Sequence, residues 1–386
     1  MEEKMAEQLI KPVFALASNV TSSLGMNTEN HWQAILRKQS GISQYEDLHF
    51  SEKSFWASKI DPTKWQLIHA QTQNGVLLSP FEQMAVFSAK EALGNLEEPL
   101  DFKKTVFILS STKGNIEWLY EKEDDRLLLS TSAALISKQL GIDHLPIIVS
   151  HACVSGVIAT LYALRLLQSG KYENAIITGA DRFTKFVLNG FQSFQAIAEA
   201  PCKPFDKNRA GINLGEAAAT LILSSNKTHH PLAQLVSGAT SNDANHISGP
   251  SRTGEELAMA INKTIREARI SAHEIDLVSA HGTATLYNDE MESKAFTLAG
   301  VASASIHSLK GYIGHTLGAA GIAETALLIE ALRNQQLIPS IGFEEPGVSC
   351  EINVTKNTSS KLLTYALKTA SGFGGCNAAT VWKACN

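Results

Sequence analysis

Three short apolar runs, Thr105–Ser111, Pro146–Ser150 and Asn174–Ala180, show no alternation of polar and apolar residues. A strand with one wet face alternates with a period of two, whereas a strand covered on both faces does not. Helical spacing separates these runs, at Ser130–Leu140 and at Ser155–Ser169, the latter stopped by Gly170. The second half repeats the alternation. Strands are predicted at Ile275–Ala280 and Ala304–Ser308, and helices at Asn288–Leu298 and from Thr316 to about Arg333. Thr253 followed by Glu256 predicts a capping box ahead of a helix that places Leu257, Ile261, Ile265 and Ala268 on one face. Two closing strands, Lys361–Ala370 and Ala378–Ala384, surround a glycine turn. The fold class is therefore α/β, with sheets covered by helices on both sides.

A weak internal repeat refines this. Ala152–Leu167 laid over Gly314–Ile329 aligns Cys153 with His315, Gly156 with Gly318, and Ala159 with Gly321. Small residues at this spacing let two helices approach closely. The match fits a duplicated α/β half, each copy delivering a reactive side chain at a helix start. The boundary is expected between residues 228 and 229, giving halves 1–228 and 229–386.

Composition narrows the function classes. The chain has 386 residues, 44% hydrophobic and 18% charged, with a net charge of −5 and no basic block, which argues against nucleic acid as a partner. No run approaches the roughly 18 apolar residues of a membrane span. Met1–Ile10 lacks the basic start and cleavage site of a signal peptide. The five cysteines form no CxxC pair, so neither a disulfide framework nor a zinc site is expected, and the chain reads as cytoplasmic.

Four segments carry residues with chemical potential. Cys153 follows the strand run PIIVS and precedes a helix, where a helix N-terminus favours thiolate and free backbone N–H groups suit an oxyanion. Taken alone, Cys153 reads equally well as a small buried hydrophobe. His281 follows the strand run IDLVS, at the strand end where α/β folds collect their sites, although a lone histidine there is more often structural. His315 lies between Gly314 and a small-residue helix, flanked by Lys310 and Glu324, a charged pair able to orient it. Its glycine-rich helix start also suits packing or a phosphate, but no GxxxxGK[ST] motif is present. Finally, SGFGGCN (Ser371–Asn377) places glycines around Phe373, as a tight turn or close backbone approach requires.

Jointly, these segments resemble the signature set of the β-ketoacyl synthases, in the same chain order. Ala152-Cys153-Val154-Ser155-Gly156 resembles the nucleophile motif. His281-Gly282-Thr283-Ala284-Thr285 with Asp289 resembles the second motif, and Lys310 with Gly314-His315 and Gly318-Ala319-Ala320-Gly321 the third. Gly372-Phe373-Gly374-Gly375-Cys376-Asn377 resembles the last. A fifth family segment stands as Pro204-Phe205-Asp206, Arg209, Gly211, Gly215 and Glu216. Several positions depart from the pattern. His151 and Cys376 stand where the family has Thr, Ala284 replaces Gly, Ala210 replaces Asp, and Ser371 replaces a bulky residue. The N-terminal TGxG turn is missing from VFALASNV. These departures are reminiscent of divergent synthases in polyene or pigment pathways.

The resemblance implies a thiolase-like fold, in which two pseudo-duplicated halves form an α-β-α-β-α sandwich. It implies decarboxylative condensation of an acyl thioester, carried on Cys153, with malonyl carrier protein. Cys153, His281 and His315 would be catalytic, as in elongating synthases. Lys310, Glu324 and Asp289 would support them, and the N–H groups of Cys153 and Phe373 would form the oxyanion hole, with Phe373 as gate. No metal or organic cofactor is implied. The expected partners are an acyl carrier protein, acyl and malonyl thioesters, and a second subunit in a homodimer or in a heterodimer with a related chain. Two other readings stay open. One is a non-elongating subunit of the chain-length-factor kind, and the other is a thiolase or initiating synthase acting on acyl-CoA.

Overall fold

The protein is described by a computed structural model over residues 11–73, 75–121, 123–226, 230–245 and 249–385. Met1–Ile10 and the expected boundary at 228/229 lie outside the described residues. Ten strands among the described residues form one hydrogen-bonded sheet. They are β1 (Val13–Ser22), β2 (Thr105–Ser110), β3 (Ile147–Val149), β4 (Asn174–Asp181) and β5 (Ala217–Ser224). The second five are β6 (Ala233–Asn242), β7 (Ile275–Ser279), β8 (Ser305–His307), β9 (Tyr365–Gly372) and β10 (Cys376–Ala384).

The sheet order is β8-β7-β9-β10-β6-β1-β5-β4-β2-β3. Read inward from each edge, the first half runs β3-β2-β4-β5-β1 and the second β8-β7-β9-β10-β6, the same order with each label raised by five. Directions agree as well. β2 is parallel to β3 and β4, as β7 is to β8 and β9. β4–β5 and β5–β1 are antiparallel, as are β9–β10 and β10–β6. The duplication suggested by the sequence repeat is thus present in the topology. The halves meet where Val13–Ala15 of β1 pairs with Ala233–Leu235 of β6, a seam that joins the expected two sheets into one.

Helices cover both faces, which is why β2, β4 and β5 are buried at every position. α1 (Pro80–Gly94) packs outside the first half, its start fixed by a Ser79–Glu82 capping box and by Pro80. α2 (Ser155–Gln168) and α6 (Ala320–Asn334) fill the middle layer and touch strands of both halves. Between them in sequence come α3 (Lys185–Ser193), α4 (Glu255–Ala268) and α5 (Leu286–Leu298), of which α4 packs outside the second half and α5 packs on α4. The layering is the expected α-β-α-β-α.

Two helix starts differ from expectation. α4 begins after Gly254 at φ 77°, and Thr253 Oγ1 pairs with Ser251 Oγ at 3.1 Å and accepts from Glu255 N at 3.4 Å. The left-handed Gly254 redirects the chain into the helix, so the Thr253–Glu256 capping box is not made. The helix expected from Thr316 begins at Ala320, because Leu317 has φ 51° and a single 3₁₀ turn, Leu317–Ala319, intervenes. No helix among the described residues is long and apolar enough to cross a membrane.

Candidate active site

Cys153 lies between β3 and α2, on a turn where Ala152 adopts φ 47°. A non-glycine residue in the left-handed region is strained, and a sharp strand-to-helix turn of this kind presents the following side chain at the helix start. Ser155 braces the turn, since its Oγ accepts from His151 N at 2.7 Å and donates to Ala152 O at 2.6 Å.

His281 follows β7, the counterpart of β2. Glu292 on α5 holds its turn by accepting from His281 N at 2.8 Å and Gly282 N at 2.6 Å. Asp289 accepts from Phe205 N at 2.7 Å and Ala284 N at 3.2 Å, tying this turn to the Pro204-Phe205-Asp206 segment. Asp289 therefore supports the loop and does not reach the reacting groups. Burial pushes its carboxyl pKa up to about 7. Ala284 has φ 61°, a conformation that the glycine of the family pattern adopts without cost.

His315 follows β8, the counterpart of β3, so Cys153 and His315 occupy matching positions of the two halves. Its N–H donates to Asn213 O at 2.7 Å and its carbonyl accepts from Gly215 N at 3.0 Å. Gly314 permits this threading, because a Cβ there would lie 2.7 Å from Leu214 O. The fifth motif thus has a packing role. Asp206 accepts from Glu344 N and Glu345 N, and Glu216 accepts from Ile60 N at 2.8 Å.

Three side chains converge. Cys153 Sγ and a ring nitrogen from each of His281 and His315 all lie within 4.8 Å of one another. The two imidazole rings are perpendicular, with centroids 5.3 Å apart. All three residues are buried, and Cys153 is 7% exposed. They open onto a cavity of about 400 Å³, which Ala210, Thr283, Ser371 and Phe373 also line. Phe373 sits in the three-residue turn between β9 and β10, 36% exposed. It stacks on Phe191 at 5.6 Å and meets Phe194 edge-on at 5.4 Å. The ring is thus held from α3 and the residue just beyond it, although Ser371 offers little bulk. Ser371 itself is buried and donates to Asn377 Oδ1 at 2.7 Å.

The charges differ from the expectation of a resting thiolate. Burial pushes the Cys153 thiol up to about 12, against the pull of Lys310 and Lys113. Desolvation outweighs the helix N-terminus here, and the thiol is neutral near pH 7. Burial also holds both imidazoles well below their ordinary value, assisted by Lys310 and Lys368. Neutral rings can each donate one N–H and accept at the other nitrogen. Both ring nitrogens of His315 lack a protein partner.

Lys310 and Glu324 form a fully buried ion pair, and Lys310 Nζ also donates to His281 O at 3.1 Å. The sequence reading missed Lys368 on β9, whose ammonium lies 2.6 Å from Glu324. It also missed Glu292. A charged residue in the middle of an expected strand was the available signal for Lys368. The triad's spacing would let a soft metal ion bridge it. The ammoniums of Lys310 and Lys368, which share the Glu324 carboxylate, both act on the two rings and repel a dication there, so the field suits a developing anion.

Comparison with known proteins shows the family. Residues 11–229 match the model of the β-ketoacyl synthase N-terminal domain, and residues 232–344 that of the C-terminal domain. The chain belongs to the β-ketoacyl synthase family. It is 27% identical to 3-oxoacyl-[acyl-carrier-protein] synthase 2 of Vibrio harveyi, over 96% of this chain and 98% of that protein. Among solved structures, the ishigamide ketosynthase/chain length factor superposes with a TM-score of 0.86 at 24% identity, covering 97% of this chain and 100% of the other. A type II polyketide-synthase ketosynthase in complex with its acyl carrier protein, bound to the hexaketide, gives 0.84 at 22%, covering 97% and 100%. This β-ketoacyl synthase is an acyltransferase that condenses an acyl thioester with malonyl carrier protein, in fatty acid or polyketide synthesis.

Proposed function

We propose that Cys153 carries the growing acyl group and that His281 and His315 together hold the malonyl thioester oxygen. The convergence of one sulfur and two imidazoles within 4.8 Å, at the floor of a cavity, carries this reading. In loading, Cys153 Sγ bonds to the acyl carbonyl carbon as its proton is relayed through a neutral imidazole to the departing carrier sulfur, without a free imidazolium forming. The neutral thiol makes this concerted transfer necessary. The oxyanion is met by the N–H groups of Cys153 and Phe373, a role supported by the hairpin's closeness: a Cβ on Gly372 would lie 3.2 Å from Cys153 N.

In condensation, the malonyl C–C bond to the carboxylate breaks and CO₂ leaves. The electron pair becomes an enolate, whose oxygen the two imidazole N–H groups stabilise. The enolate carbon then attacks the acyl-Cys153 carbonyl, and the Cys153 thiolate leaves. Lys310 and Glu324 hold the histidine segments, and Asp289 holds the loop behind them. The alternative, a chain-length-factor-like subunit, is disfavoured by the presence of Cys153 with both histidines. Intact-protein mass spectrometry with a panel of acyl carrier thioesters tests the reading. Acylation confined to Cys153 supports it, and a chain that accepts no acyl group refutes it.

The remaining assignments belong to the same proposal. The two halves divide at 228/229. A second subunit, identical or ketosynthase-like, pairs through β3, one of the two edge strands of the sheet, beside the exposed Leu145. The compartment is the cytoplasm, where a nucleophilic thiol stays reduced. The substrate belongs to a polyene or pigment class, on the strength of Ala210 and Ser371 lining the cavity in place of larger residues.

A further inference from the structure

Lys368 lies in the middle of β9 and is wholly buried. A buried ammonium persists only where its charge and its protons are met. Glu324 meets the charge: Lys368 Nζ is 2.6 Å from Oε2, while Lys310 holds Oε1. Three carbonyls meet the protons, Thr369 O at 2.8 Å, Ser279 O at 3.2 Å and Ala280 O at 3.4 Å. Lys310 Nζ donates to the next carbonyl along, that of His281, at 3.1 Å. Two ammoniums, joined by one carboxylate, thus grip three successive carbonyls that end at His281.

The other ionisable groups facing this cluster come from every neighbouring element. His307 on β8 and Lys368 on β9 are both register partners of Ser279 on β7, and both ring nitrogens of His307 lack a protein partner. Glu292 approaches from α5 through Thr369 Oγ1 at 3.3 Å. Glu324 belongs to α6, and the rings of His281 and His315 lie on the cavity side.

We propose that Lys368 is a positioning residue of the condensation site: with Lys310 and Glu324 it clamps the strand end that carries His281 and keeps the potential at both imidazoles positive. This rests on the reading that the two imidazoles hold the malonyl thioester oxygen. Two ammoniums share one carboxylate in the clamp, and Glu292 reaches it only through Thr369 Oγ1, so at the rings, where Lys310 and Lys368 are the acting charges, positive charge is in excess. That excess opposes protonation of either ring. The same excess favours the enolate when it forms, because the charge is already in place in a dry site. Burial draws the Lys368 ammonium's own pKa down, and the Glu324 carboxylate draws it back up.

The test is the pH dependence of CO₂ release from malonyl carrier protein, measured on the full chain and on two variants. Lys368→Met removes the charge and the hydrogen bonds. Lys368→Gln keeps a donor for the carbonyls but removes the charge. In both, the rings become easier to protonate. Release should therefore fall by about threefold more than in the parent between about pH 7.5 and about pH 5.5. An unmoved pH ratio in both variants, whatever the loss in rate or melting temperature, would mean that Lys368 only packs, and the proposal fails. A parental ratio in Lys368→Gln alone would assign the effect to hydrogen bonding and also overturn it. Should Lys368→Met not fold, Lys368→Gln carries the test by itself. Failure of the underlying reading is seen separately, as undiminished CO₂ release from His281→Ala and His315→Ala.

Discussion

Gly156 and Gly321 pack backbone to backbone where α2 and α6 cross. A Cβ on Gly156 would lie 2.8 Å from Ile322 N and 3.0 Å from Gly321 Cα, and one on Gly321 would lie 2.6 Å from Val157 N. These are main-chain atoms, so no side chain can turn away. Gly156→Ala should cost about 2–3 kcal/mol, the scale of an overpacked core. Gly94→Ala, whose Cβ would meet nothing within 4 Å near the end of α1, should be neutral or slightly stabilising. Thermal melting of both variants checks the contrast, and equal melting temperatures would contradict it.

Cys153→Ala should lose acyl loading and condensation together. Intact-protein mass spectrometry decides this. Acyl mass that persists on the variant, or that maps to Cys202 or Cys376, would remove Cys153 from the mechanism.

His281→Ala and His315→Ala should each slow CO₂ release from malonyl carrier protein by about 10² or more, the effect of losing one oxyanion donor. Acyl loading onto Cys153 should suffer less, because main-chain N–H groups serve that step. Near-normal release from either variant would contradict the shared role.

The Cys153 thiol, pushed up to about 12, gives a pH prediction. Burial raises this acid, so the resting protein holds almost no thiolate at neutral pH. Alkylation by iodoacetamide should rise about tenfold per pH unit through pH 9 and beyond, because the thiolate is the nucleophile. A plateau near pH 8.5, where an ordinary thiol titrates, would show that the thiol is not desolvated in solution.

Ser371→Phe should narrow the cavity that Ser371 lines and break its bond to Asn377. Loading of long or stiff acyl groups should fall while that of short ones is spared. An equal loss at every chain length would mean that the hairpin is merely damaged.

The motifs were legible because each combines a reacting group with glycines that its backbone geometry demands. Gly314 and Gly282 have positive φ, and Gly156 and Gly321 mark a helix contact. The strands at β2, β3 and β4 were legible from unbroken apolarity. The start of α6 was not, because nothing in the local sequence announces Leu317 in the left-handed region. Lys368 and Glu292 escaped for a different reason. Their partners, Glu324 and the N–H groups of His281 and Gly282, lie on other elements, and a buried charge is explained only once those elements have packed. The raised thiol pKa escaped likewise. Helix position can be read from sequence, but depth cannot.

The depth of Cys153 has one more consequence. Peroxides attack thiolates, and a sulfur that keeps its proton is a slow target. The resting synthase therefore stores its nucleophile in the protonated form that peroxides attack slowly. During turnover the acyl thioester occupies the sulfur and the carrier arm fills the approach to it, so exposure as free thiolate is confined to the instant between product release and reprotonation.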